Sequence, residues 1–123
     1  MSDSQIRRFD EVAWHVPVSK REDIDWHTPP GPDEAGRKFL VDGEGGFYLQ
    51  AVRIPPSFEA PVHSHDHAEI FLGLEGECSF NGEPMRARDC TVVEAGQDYS
   101  FKAGPGGVTF LVTRKGVASY REA

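Results

Sequence analysis

The chain has 123 residues, a formal net charge of −7, 38% hydrophobic and 27% charged residues. No Lys/Arg stripe offsets that acidity, which argues against nucleic acid or an anionic membrane as a partner, and no apolar run approaches the roughly 20 residues that cross a bilayer. The length suits one domain with a substantial core, and the polar start from Met1 to Arg8 lacks the apolar segment of a secretory signal, so the cytoplasm is the expected location.

In chain order, residues 12–16 read as an edge strand closed by Pro17. Residues 19–37 are charged, cluster Pro29, Pro30, Gly31 and Pro32, and show no hydrophobic period, the pattern of an irregular arm. The expected division is therefore an edge strand and arm over 1–37 and a β-barrel over 38–123. From residue 38, short runs rich in Val, Phe, Tyr, Leu and Ile alternate with Gly, Pro and Asn. The predicted strands are 38–41, 47–54, 69–74, 77–80, 85–88, 91–93, 99–102, 108–113 and 117–120. Turn signals separate them at Gly43 to Gly46, Pro55-Pro56, Asn81-Gly82, Ala95-Gly96 and Gly104 to Gly107. Asn81-Gly82 signals a type I′ hairpin, whose two central residues both need positive φ. Nothing carries a 3.6-residue period. Many short strands with no helix between them predict an all-β antiparallel sandwich or small barrel.

The chemistry concentrates in His63-Ser64-His65-Asp66-His67-Ala68-Glu69, which holds three of the five histidines. Neutral imidazoles with a carboxylate are a ligand set for a mid-row transition metal. If this segment is an extended strand, residues 63, 65, 67 and 69 share one face and aim at one interior. Downstream, Ile70, Leu72 and Leu74 are apolar on one parity, with Phe71 and Glu69 on the other, so the strand needs cover on both faces. One face would line the pocket and the other would meet a second sheet or a second copy; a homodimer is expected.

Other residues carry weaker signals. Tyr48, Gln50 and Val52 share a parity, as do Phe47, Leu49, Ala51 and Arg53, and either set suits a barrel lining. Arg53 and Arg114 are candidate anchors for an anionic substrate, although a surface position is the plainer expectation for each. Trp14 and Trp26 suit either a lid over the barrel mouth or ordinary packing. Cys78 and Cys90 are too few for a disulfide framework and are expected as buried free thiols.

The spacing His63-x-His65, three residues, Glu69, six residues, Gly76 resembles the first motif of the cupins, barrels of the double-stranded β-helix or jelly-roll type. The resemblance covers about residues 38–115. Ser57 stands where that motif opens with Gly. The second motif is eroded: aligned on Gly96, Arg88 stands for its first Gly, Glu94 for its Pro, Tyr99 for its His and Ala103 for its Asn. The resemblance implies His63, His65 and Glu69 as metal ligands, with His67 at the rim or supporting a ligand and direct ligation by it the lesser alternative. Tyr99 replaces the fourth. Three roles are open to it: a phenolate ligand, as in an iron(III)–tyrosinate centre; a hydrogen-bonding partner of the substrate or general acid beside a 2-His-1-carboxylate triad; or simply an aromatic of the barrel.

The expected cofactor is one divalent or trivalent transition metal per chain, iron first and Mn, Ni, Zn or Cu after it. Glu69 and Tyr99 are the candidate catalytic residues. The leading expectation is an oxygenase-like enzyme acting on a small organic molecule, because an incomplete ligand set leaves coordination positions open. The alternatives are a metal-assisted isomerase, cyclase or lyase, and a non-catalytic cupin that binds a small molecule. One superfold hosts all of these.

Overall fold

Alternating apolar residues punctuated by turn formers produce eight strands among the described residues. They are β1 (Gly36–Asp42), β2 (Tyr48–Ile54), β3 (Glu59–Ser64), β4 (Glu69–Phe80), β5 (Glu83–Arg86), β6 (Cys90–Val93), β7 (Tyr99–Arg114) and β8 (Arg121–Glu122). The computed structural model describes residues 6–15 and 34–115, and the backbone of 121–122. Trp26, most of the 19–37 arm and the strand expected at 117–120 lie outside the described residues. Every pairing is antiparallel: β1 with β2, β2 with β7, β7 with β3 and β4, β4 with β5 and β6, and β3 with β8. The predicted all-β class is confirmed, and the Asn81-Gly82 hairpin joins β4 to β5 with φ of 52° and 81°.

Two pairs of predicted strands are single, bent strands. Runs 69–74 and 77–80 join as β4, and 99–102 and 108–113 join as β7. Register shifts between Gly73 and Glu75 and between Gly76 and Cys78 mark the bend. Glycine at a bulge lets a strand kink without ending. Gly76 has φ +74°, and a Cβ there would collide with the carbonyl oxygen of Gly107, itself at φ +80°. The fold-over brings Phe71 and Phe80, from opposite ends of β4, to 5.1 Å between ring centroids, and Phe101 and Phe110 of β7 to 5.7 Å. These rings, with Val52, Met85, Val93, Val108 and Val112, form the core between the layers.

Strand parity divides the faces. On β4, Glu69 and Phe71 point inward, whereas Ile70, Leu72 and Leu74, with Val92 beside Ile70 on β6, are exposed on the outside. On β2, Gln50 and Val52 belong to the inner set. The outer face of β1 and β2 is covered instead by residues 6–15. Of the edge strand expected at 12–16, the described residues 12–15 hold a bridge between His15 and Arg37, preceded by a 3-10 turn at Phe9–Glu11. Trp14 packs edge-on against Phe9 at 6.3 Å, with Arg53 4.6 Å above its ring.

The two thiols differ. Cys78 is buried, and burial pushes its pKa up to about 11. Cys90 is exposed, contrary to expectation, because β6 is bonded only to β4 and Cys90 has the outward parity of Val92. An aromatic disulfide reagent at pH 8 is therefore expected to titrate one fast thiol per native chain and a second only after denaturation. Two fast thiols would contradict this placement.

Candidate functional site

β7 carries the site at both of its ends. Its first residue, Tyr99, is the cross-strand neighbour of His63 on β3, and its last, Arg114, is the neighbour of Glu69 on β4. The bend in β7 turns both ends toward one end of the barrel. The histidine cluster is not one strand: β3 ends at Ser64, the chain bends at Asp66 and His67, and β4 begins at Glu69. The expectation that 63, 65, 67 and 69 share a face by strand parity therefore fails. His63 comes from a strand, His65 from the connection and Glu69 from the next strand. Gly96 N–H holds the connection in place by donating to His65 O at 2.8 Å.

The side chains nonetheless meet. The buried His63 donates from Nδ1 to Pro61 O at 2.7 Å, which fixes the tautomer and leaves the lone pair on Nε2. Its ring lies 5.1 Å from that of His65 and 4.3 Å from that of Tyr99. His65 Nε2 is 3.0 Å from the Tyr99 hydroxyl and 3.2 Å from Glu69 Oε1. Tyr99 is buried and also packs on Phe80 at 5.8 Å, so its ring belongs to the core and its hydroxyl to the site. His67, partly exposed, turns to Asp66 at 3.4 Å instead. Arg53 stays on the outer side, donating to Glu34 O at 3.2 Å.

Arg114 is not a surface arginine. It is buried beside Glu69, and its Nε and Nη2 donate to Glu69 Oε2 at 2.9 and 2.5 Å. Its Nη1 lies 3.5 Å from Gln50 Oε1, which also accepts from Arg37 Nη1. Burial, and after it the neighbouring Arg114 charge, lower the Arg37 pKa to about 10. Reasoning from sequence missed Arg37 and Gln50 as a pair. Arg37 was assigned to the arm because the predicted strand began one residue later, whereas β1 starts at Gly36. Its parity with Phe39 was the available signal, which a register shift between Phe39 and Val41 cuts short.

Whether the cluster suits a metal ion can be tested on its donors. Among the described residues, no three His, Cys, Asp or Glu side chains are gathered tightly enough to hold an ion as they stand. The donor chemistry fits one. Glu69 Oε1 is buried and receives no hydrogen bond, while Arg114 occupies the other oxygen. His63 Nδ1 is anchored to a carbonyl, the outer contact that orients a ligating imidazole. A buried carboxylate oxygen that accepts no hydrogen bond, with His65 Nε2 at 3.2 Å and the His63 ring against that of His65, is a place a cation would satisfy.

No helix among the described residues is long and apolar enough to cross a membrane. No protein-family model matches the sequence, and no curated protein matches it. Solved structures do. The chain is similar over its whole length to the polyketide cyclase RemF from Streptomyces resistomycificus, with 21% identity, 86% of that chain covered and a TM-score of 0.73. An RmlC-like cupin from Shewanella frigidimarina matches 94% of this chain and 93% of its own at 16% identity and a TM-score of 0.66. A protein from Thermotoga maritima described as a predicted oxalate decarboxylase matches 91% and 99% at 21% identity and a TM-score of 0.67. What these proteins share with the chain is the fold: an antiparallel, double-stranded β-helix of the cupin jelly-roll type.

Proposed function

We propose that this cupin-fold protein is a metal-dependent enzyme that moves a proton on a small organic molecule, in a cyclisation, isomerisation or elimination. The observation that carries this reading is the meeting of three different functional atoms in one buried site: His65 Nε2, the Tyr99 hydroxyl 3.0 Å away and Glu69 Oε1 3.2 Å away. His63, His65 and Glu69 would hold the ion. When bound, it would supply Lewis-acid polarisation of a substrate oxygen. The Tyr99 hydroxyl holds the proton delivered to or taken from the substrate. Arg114 keeps Glu69 oriented with one oxygen toward the site. Phe71 and Phe80 wall the site from below, excluding water and strengthening each electrostatic contact. The similarity of the whole chain to a polyketide cyclase supports this reaction class.

An oxygenase is the second reading, favoured by the two-histidine, one-carboxylate donor set. Protein purified without an affinity tag is the material for the test, by elemental analysis and calorimetric titration with Co²⁺ and Mn²⁺. One ion per chain is expected, together with loss of binding in His65→Ala. Binding should also raise the unfolding temperature, since saturation at about 100 times Kd adds about 2.7 kcal/mol. Failure to bind any ion would overturn the metal reading, and turnover that stops without dioxygen would select the oxygenase.

A further inference from the structure

We propose that Arg37, backed by Arg114, forms an anion-binding subsite beside the candidate metal donors, and that the substrate is a small organic acid whose carboxylate docks there. The inference rests on the enzymatic reading above and names its substrate class.

Adjacent strands β1, β2, β7 and β4 contribute Arg37, Gln50, Arg114 and Glu69 to one line of contacts. Glu69 Oε2 takes two donors from Arg114, and Gln50 Oε1 takes one from each arginine. A single neutral oxygen thus serves two cations. Arg37 has no carboxylate partner among the described residues, and its Nε is buried and donates to nothing. A second guanidinium beside one carboxylate adds desolvation and repulsion with no compensating ion pair. Both are visible in the lowered Arg37 pKa, where burial and then Arg114 act against the charge.

Such a cation is unfinished as structure and apt as a receptor. A guanidinium edge with unused donors matches a carboxylate in a planar, bidentate fashion. A docked carboxylate would supply the missing acceptor and separate the charges of Arg37 and Arg114. The location is also suitable: Gln50 Oε1 joins Arg37 to Arg114, whose guanidinium holds Glu69, so an acid held there belongs to the same cluster of side chains as the candidate site. Glu69 does not repel the ligand as a bare charge would, because Arg114 neutralises it.

The test uses the full chain, stripped of metal by chelation, and calorimetric titration with acetate, malonate and benzoate. Acetamide, malonamide and benzamide serve as uncharged isosteres and inorganic phosphate as a competing anion. At least one acid is expected to bind at millimolar concentration or below, its amide at least about tenfold more weakly. Arg37→Gln should lose about tenfold or more of that affinity, Arg37→Lys less, and Arg53→Gln on the outer side nothing. Circular dichroism of each variant checks that it is folded, and Arg37→Lys keeps the charge if Arg37→Gln does not fold. The proposal is overturned if amides bind as well as acids, if phosphate binds more tightly than every acid, if no acid binds, or if a folded Arg37→Gln binds unchanged. A separate Co²⁺ titration of the same preparations keeps the two ideas apart. Acid binding without metal binding removes the enzymatic metal reading and leaves the subsite; metal binding without acid binding does the reverse.

Discussion

Arg114→Met is expected to lower the midpoint of thermal unfolding by about 10–20 °C. Removing one partner of a buried ion pair costs about 3–5 kcal/mol, because the other charge is left in a poor solvent, and a chain of this size loses a few degrees per kcal/mol. Here the partner is Glu69, one of the most completely buried large side chains, held by two hydrogen bonds from Arg114 and facing it across β4 and β7. Adding Glu69→Gln to the same chain should recover a large part of the loss, since the pair then leaves no uncompensated charge. The double-mutant cycle by calorimetry separates the ion pair from the packing of the methylene stem. A loss of under about 2 °C in the single variant would show that Glu69 finds compensation elsewhere, and it would remove the account of its orientation given above.

Tyr99→Phe is expected to lower kcat/KM by about 10²–10⁴ while leaving metal stoichiometry and the fold intact, the range assigned to a positioned general acid or base. The ring keeps its contacts with Phe80, Phe71 and His63. Only the hydroxyl shared with His65 Nε2 is lost, worth about 1 kcal/mol of stability. A readout that needs no substrate tests the competing role. Protein loaded with iron(III) should show no intense visible phenolate band in wild type, and none in Tyr99→Phe. A band present in wild type and absent in the variant would make Tyr99 a ligand, as the alignment of Tyr99 with the family's fourth ligand allows.

The eroded glycines of the two motifs show how far the sequence could be read. Ser57 and Arg88 stand where the family pattern has Gly. Ser57 has φ 59° and Arg88 φ 75°, so both keep the left-handed backbone that glycine adopts without strain. Their N–H groups are tied across the bends, Ser57 to Gly104 O and Arg88 to Gly73 O, each at 2.9 Å. Hydrogen bonds to the bulge glycines hold residues in a conformation that costs about 1–2 kcal/mol apiece. Residue type alone could not reveal this, because the compensation comes from segments far along the chain.

The bent strands and the histidine cluster teach the same lesson in opposite directions. The glycine run at 104–107 reads as a turn and the predicted strands 69–74 and 77–80 stop on either side of Glu75-Gly76, yet a bulge and a turn share their glycine requirement and differ only in whether the partner strand continues. The 63–69 segment was read as one strand, yet Asp66 and His67 bend away from it. His65 and Glu69 still meet because β3 and β4 both lean on β7.

By itself the sequence determined the all-β class, the Asn81-Gly82 hairpin and the set of His63, His65, Glu69 and Tyr99 as the residues to follow. These depend on local period, on positive-φ residue types and on donor chemistry, all of which are written in short stretches of chain. Only the tertiary structure decided that Arg114 is buried against Glu69, that Gln50 stands between two arginines, and that Arg37 faces inward with a donor left unused. Those facts turn on cross-strand register and charge compensation between residues as far apart as Glu69 and Arg114, and no local pattern encodes which distant strand will supply a neighbour.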